Sequence, residues 1–236
     1  MTTATRPEQR TRTVMIPAVA MLPGDLTIPA GATGLVIFAH GSGSSRLSER
    51  NQRVAARLQA GGLATLLFDL LTPQEEALDA QTAQLRFDIA LLAERLVSVT
   101  DWVRTQAATS GLRIGYFGAS TGAAAALVAA ASRPEIVHAV VSRGGRPDLA
   151  GPYLGHVHAP TLLVVGGEDL PVLAMNRAAM RQLGRATNEL VVVSGATHLF
   201  EEPGALDRVA DLALDWFDRH LAALAAQPSE DELEIC

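Results

Sequence analysis

LRIGYFGASTGAAAALVAAAS, residues 112–132, is the stretch that decides the fold. Leu112–Phe117 is a short apolar run with aromatic and β-branched residues, and it reads as a strand. Gly118 to Gly122 are small, as a sharp turn requires. Gly122–Ser132 is almost pure Ala and stops before Pro134, which reads as a helix. Strand, tight turn and helix in this order are one half of a βαβ unit.

The same alternation continues on both sides. Upstream lie the apolar runs Gly34–Ala39 and Leu63–Leu70, with helical patterns at Ser48–Ala60 (stopped by Gly61-Gly62) and Ile89–Gln106. Downstream lie Val137–Val141, Thr161–Val165 and Glu189–Val193, with helices at Pro171–Leu183 and Ala205–Ala225. Thr13–Pro17 and Val19–Ile28 read as a hairpin-like pair, with a turn around Pro23-Gly24. Continuous apolar strands separated by helices predict an α/β fold: a mostly parallel, doubly wound sheet of about eight strands with helices on both faces.

The domain expected is 13–226, between a polar N-terminal tail, 1–12, and an acidic C-terminal tail, 227–236. Arg143–Ala159 is too short a connection for a separate cap domain. Leu71–Asp88 is the other segment that could cover a site, and its Glu75, Glu76 and Asp79 read as a solvated face.

Composition narrows the function classes. With 236 residues, 48% hydrophobic and 19% charged, the chain is an ordinary globular one. The net charge of −6 offers no basic surface, so no nucleic-acid partner is expected. All 19 basic residues are Arg, which excludes a P-loop lysine or a Schiff-base lysine. Cys236 is the sole cysteine, so no disulfide within the chain and no Cys-rich zinc site is expected. Met1–Arg12 is not followed by an apolar segment of the kind a signal peptide has, and no apolar run reaches the length of a membrane span. The expectation is a cytoplasmic protein, monomer or homodimer, with no membrane partner, no cofactor and no metal.

In a doubly wound sheet the chemistry sits beyond the carboxyl ends of the strands. After Leu112–Phe117 comes Gly118-Ala119-Ser120-Thr121-Gly122, a G-x-S-x-G in the strand–turn–helix context that exposes a nucleophilic serine. After Gly34–Ala39 comes His40-Gly41-Ser42-Gly43, a Gly-rich turn whose N–H groups are free to meet an oxyanion together with that of Thr121. Ser42 is the donor favoured from this loop, with Gly41 its competitor. The alternative, a phosphate cradle, lacks both a lysine and the G-x-G-x-x-G spacing. His40 reads as a residue that orders the turn.

His198, on the loop after the last strand, is the general base favoured by chain order. His138, within a strand, and His220, within a helix, fit less well. His156 and His158 lack a third metal ligand. For the acid, Asp169 after Thr161–Val165 is preferred to Asp148 and Glu168. Arg143 and Arg146 follow a strand and could meet a substrate carboxylate.

HGSGSS (40–45), GYFGAS (115–120), GGED (166–169) and SGATHLFEEPGAL (194–206), in this order, resemble the dienelactone-hydrolase-like branch of the α/β hydrolases over roughly Thr13 to Ala225. The resemblance implies a triad of Ser120, Asp169 and His198. Dienelactone hydrolases proper use Cys where this chain has Ser120, which points towards a general carboxylesterase acting on a small-molecule ester. Some similar domains are fused to phosphoribosyltransferase domains, and no such domain is expected here. An acyltransferase with the same triad and a non-catalytic binding module are the alternatives, and an intact Ser, Asp and His argue against the latter.

Overall fold

Alternating residues of each central strand are apolar in both directions, so the sheet must be covered on both faces, and it is. The computed structural model describes residues 9–184 and 187–222. Its strands are β1 (Gln9–Pro17), β2 (Met21–Pro29), β3 (Gly34–Ala39), β4 (Ala64–Phe68), β5 (Arg113–Ala119), β6 (Val137–Arg143), β7 (Thr161–Gly166) and β8 (Asn188–Val193). They form one sheet in the order β1-β2-β4-β3-β5-β6-β7-β8. From β4 to β8 the pairings are parallel, while β1 and β2 pair antiparallel with each other and β2 antiparallel with β4. The crossover helices are α1 (Glu49–Ala60), α2 (Pro73–Thr82), α3 (Ile89–Thr105), α4 (Thr121–Ser132), α5 (Leu170–Met180) and α6 (Ala205–Leu221).

On β3, Leu35, Ile37 and Ala39 pack against α3 and α4, whereas Val36 and Phe38 pack against α1 and α6. This period-two split builds two cores from one strand. Burying side chains such as Leu58, Leu96, Trp216 and Phe217 stabilises the fold by about 1.5–3 kcal/mol for each large apolar group. The Ala-rich α4 is buried along nearly its whole length, Thr121 to Ala130. A helix without bulk can lie close under the sheet.

Three expectations are corrected. The hairpin turn falls at residues 18–20, between Pro17 and Met21, and Pro23-Gly24 lies inside β2 opposite Met15 and Val14. Gly24 is needed there for space: a Cβ would sit 3.1 Å from Ile16 and 3.2 Å from Phe68 and Leu66. Pro23, which lacks an N–H, sits just past the end of the β4 ladder, where its carbonyl accepts from Asp69.

β1 also begins at Gln9, taking residues 9–12 out of the expected tail. Its polar residues pair on an exposed edge strand, with Thr11 Oγ1 3.1 Å from Thr27 Oγ1. The acidic tail 227–236, and the last residues of the helix expected to reach Ala225, lie outside the described residues.

Thirdly, of the three acids read as a solvated face, only Glu76 is exposed and without a partner among the described residues, whereas Glu75 and Asp79 are tied into the fold. Thr72 caps α2, accepting from the Glu75 N–H while the Glu75 carboxylate accepts from the Thr72 N–H at 2.8 Å. Glu75 also receives Arg95 Nη2 at 2.5 Å and Nη1 at 2.6 Å. Asp79 is buried, and Arg86 Nε reaches it at 2.6 Å.

Candidate active site

β5 delivers the chain to the carboxyl edge of the sheet, and α4 must start at once beneath it. Ser120, the N-cap between them, takes φ 51° and ψ −121°, a conformation rare for a residue with a side chain. The turn holds because its neighbours are glycines. A Cβ at Gly118 would lie 2.4 Å from the Ala123 Cα, and one at Gly122 only 2.2 Å from the Ala39 carbonyl oxygen. Ser120 is fixed further by its N–H donating to the Arg143 carbonyl (3.3 Å) and its carbonyl accepting from the Arg146 N–H (3.1 Å). Among the described residues its hydroxyl has no hydrogen-bond partner, and it is half-buried at the surface.

The loop after β3 closes over this elbow. A Cβ at Gly41 would lie 3.1 Å from the Ser120 Cβ, and Ser42 Oγ is 3.0 Å from Thr121 Oγ1. Thr121 is in the first turn of α4, where N–H groups have no intrahelical acceptor. Among the described residues, neither its N–H nor that of Ser42 donates to a loop carbonyl. Ser42 and Thr121, the two residues expected to donate to an oxyanion, are thus neighbours through their hydroxyls at the positive end of a helix. His40 is the orderer of the turn. Its Nε2 accepts from the Leu70 N–H at 3.0 Å, so Nδ1 carries the proton and donates to the Gly41 carbonyl at 3.0 Å. Burial holds its pKa below the usual imidazole value, which keeps the ring neutral.

On the other side of Ser120, the loops after β7 and β8 are zipped together: Gly167 N–H donates to Val193 O (2.8 Å) and Glu168 N–H to Ala196 O (3.0 Å). The zip aligns Asp169 with His198, whose Nδ1 donates to Asp169 Oδ2 at 2.6 Å. The other ring nitrogen is therefore the one left to act as a base. Gly144 takes the left-handed φ of +50° beside this loop, and a Cβ there would press on the His198 carbonyl oxygen at 3.2 Å and touch the ring in ordinary contact at 3.5 Å. Because Gly144 follows Arg143, to which Ser120 is bonded, the serine and the histidine flank the same short segment.

The competing acids are elsewhere. Asp148 is held by Arg146, at 2.9 Å from Nε and 2.7 Å from Nη2, and Glu168 is exposed. Of the other histidines, His220 lies against Trp216 and His156 bonds the Pro152 carbonyl.

The two arginines differ. Arg146 has its fork filled by Asp148, two residues on in the same loop. Arg143 is buried, and its Nε and Nη1 have no partner among the described residues. In step with Ala139 and Val141, it lies on the α1–α6 side of the sheet. Burial, and then the charge of Arg50, push its guanidinium down to about 10, so it stays cationic at neutral pH. Beside the Ser42 loop lies a cleft of about 660 Å³, bordered by His40, Ser42, Ser44, Arg50, Leu71 and Glu76. The capping box at Thr72-Pro73-Gln74-Glu75 was a readable signal for α2. The ion pair of Asp79 with Arg86 had none.

The sheet order, the elbow and the loops that meet above it define an α/β hydrolase. The chain belongs to the dienelactone hydrolase family, which it matches over residues 22–226. A crystal structure of a dienelactone hydrolase from Anabaena variabilis is 59% identical, with a TM-score of 0.87, and the match covers 92% of this chain and 100% of that one. Est1E from Butyrivibrio proteoclasticus shares the fold at 16% identity and TM-score 0.71, over 89% of this chain and 98% of that one. A Mycobacterium tuberculosis protein provisionally named a phosphoribosyl transferase is 60% identical over 199 residues, 84% of this chain. The chain spans 44% of that relative's length. Among the described residues no helix is long and apolar enough to cross a membrane.

Proposed function

We propose that the protein is a serine hydrolase of small carboxylic esters, with Ser120 as nucleophile, His198 as general base and Asp169 as the acid that orients it. The observation that carries this reading is the strained Ser120 elbow with the Asp169–His198 pair at 2.6 Å on the adjoining loops. His198 takes the Ser120 hydroxyl proton as the oxygen attacks the ester carbonyl. The N–H groups of Ser42 and Thr121 receive the oxyanion of the tetrahedral intermediate. Collapse expels the alcohol, protonated by His198, and leaves the acyl group on Ser120. Water, deprotonated by the same imidazole, then releases the acid. None of these steps needs a cofactor.

Arg143 extends the proposal to the substrate. A buried cation without a counter-ion is costly, and an anionic ligand offsets the cost. The Arg143 backbone carbonyl accepts from the Ser120 N–H, and on this reading the anionic ligand is a carboxylate on the ester itself. The name of the mycobacterial relative belongs to a protein more than half of which lies beyond the match, and the Ser120 elbow lies within this chain's family match.

Labelling with a fluorophosphonate tests the reading. The wild type is expected to be labelled on Ser120 and to lose esterase activity in step, and Ser120→Ala to resist labelling while keeping its fold. Normal labelling of Ser120→Ala rejects the assignment.

A further inference from the structure

His198 stands on a loop with few anchors. Its side chain is 39% exposed, and among the described residues its one side-chain hydrogen-bond partner is Asp169. The loop is pinned before it by Ala196 and after it by Phe200, both fully buried. Phe200 takes φ +58°, so the chain between the pins is bent into a conformation that a bulky residue resists. Between the pins one backbone hydrogen bond, from the Phe200 N–H to the Thr197 carbonyl at 3.3 Å, closes the turn that carries His198.

A side-chain tie adds to it. Glu202 Oε1 accepts from the Thr197 N–H at 3.1 Å and from the Thr197 hydroxyl at 2.5 Å. The Glu202 carbonyl in turn accepts from the Ala205 N–H at 3.0 Å, at the start of α6. One residue therefore holds both the residue before His198 and the first turn of the helix after it. The hydrogen bonds from Thr197 keep the Glu202 carboxyl below the usual carboxylate range, so it remains an acceptor at neutral pH. The contact spans five residues within an irregular loop, where no sequence period announces it.

We infer that Glu202 is a positioning residue for the proposed reaction, acting through Thr197 to hold His198 in register with Asp169 and Ser120. The inference rests on the triad proposed above. It concerns the placement of the imidazole rather than binding, so its loss lowers kcat and leaves KM nearly unchanged. Displacing a catalytic group by about 1 Å costs on the order of a hundredfold.

The test compares Glu202→Ala, Glu202→Gln and Thr197→Val with the wild type. For each, kcat and KM on a short p-nitrophenyl ester, the rate of fluorophosphonate labelling and the low-field proton NMR signal of the His198–Asp169 hydrogen bond are measured. Glu202→Ala is expected to lose about tenfold to a hundredfold in kcat and in labelling rate, with KM within about twofold, and to shift or broaden the low-field signal. Glu202→Gln keeps an acceptor oxygen and should restore most of the rate and the signal. Thr197→Val removes the hydroxyl while leaving Glu202 in place, and should give an intermediate loss, even if Glu202→Ala proves unable to fold. Wild-type rates and an unshifted signal in both Glu202→Ala and Thr197→Val overturn the inference. The NMR signal does not depend on turnover, so it reports on Glu202 even where esterase activity disproves the triad.

Discussion

Two stretches of the same sheet edge, one on each side of Ser120, treat their charged groups differently. Over β3 and β4 the buried imidazole and three of the acids are matched within the protein. His40 has both nitrogens bonded, Asp69 is paired with Arg46, Glu75 with Arg95 and Asp79 with Arg86. Over β6 to β8 capacity is left unused. Asp169 binds one side of His198 and leaves the other ring nitrogen without a partner among the described residues, while Arg143 keeps two buried donors unmatched. Matched groups make a scaffold. Unmatched groups held in place by a rigid fold are where an external molecule finds partners.

The comparison predicts that changes on the two sides move different measurements. The largest effect belongs to Asp169→Asn. It should lower kcat by on the order of 10⁴-fold, because the amide favours the wrong imidazole tautomer, while thermal stability moves little. Asp148→Asn, on the neighbouring loop, should stay within about tenfold of wild type, since that carboxylate serves Arg146. A large loss with Asp148→Asn would put the acid after β6. On the matched side, Arg86→Ala should cost about 1–3 kcal/mol of stability by removing the guanidinium from buried Asp79, which keeps the backbone N–H of residue 86. Denaturant unfolding measures this. If Arg86→Ala keeps full stability and loses kcat instead, the two regions have been assigned the wrong way round.

Arg143→Met should cross the comparison from the other side. It removes an unmatched buried cation, so stability should hold or rise by about 1 kcal/mol. The preference for carboxylate-bearing over neutral esters should fall about tenfold, as loss of one charge-assisted contact implies. An unchanged preference leaves Arg143 without a part in substrate choice.

The smallest effect concerns acid. Hydrogen bonds from Arg95 hold Glu75 at about 2, below the 4.5 of a free glutamate. Its contribution to stability is therefore complete above about pH 4.5 and is lost as pH falls through about 2. Glu75→Gln should flatten that part of the stability profile, read as unfolding midpoint against pH, and should leave the profile above pH 5 unchanged in shape.

The sheet and its candidate site were legible for a common reason: both are written in local patterns. Apolar runs of strand length, the small residues around Ser120 and the Gly-rich turn at His40-Gly41-Ser42 each declare their geometry within a few residues. The misread places involve competition between a local signal and a distant neighbour. Pro23-Gly24 has turn chemistry, yet it pairs within a strand, where Ile16, Leu66 and Phe68 close in on Gly24 to 3.1–3.2 Å of where a Cβ would sit. Asp79 and Glu75 look like solvated acids until Arg86 and Arg95 are folded against them. Arg143 and Arg146 are equivalent by position after a strand. One is buried without a partner and the other bound by Asp148, and only the folded chain separates them.

The central claim is that chemistry passes through a covalent acyl group on Ser120. Quenching the protein in acid during turnover of a slow ester and weighing the intact chain tests it most directly, with the deacylation step slowed by low pH before the quench. The account predicts a mass increase equal to the acyl group less one hydrogen. After proteolysis the adduct should lie on the peptide containing Ser120, and it should be absent from Ser120→Ala. Hydrolysis at the full rate with no adduct, or an adduct that persists in Ser120→Ala, would contradict it.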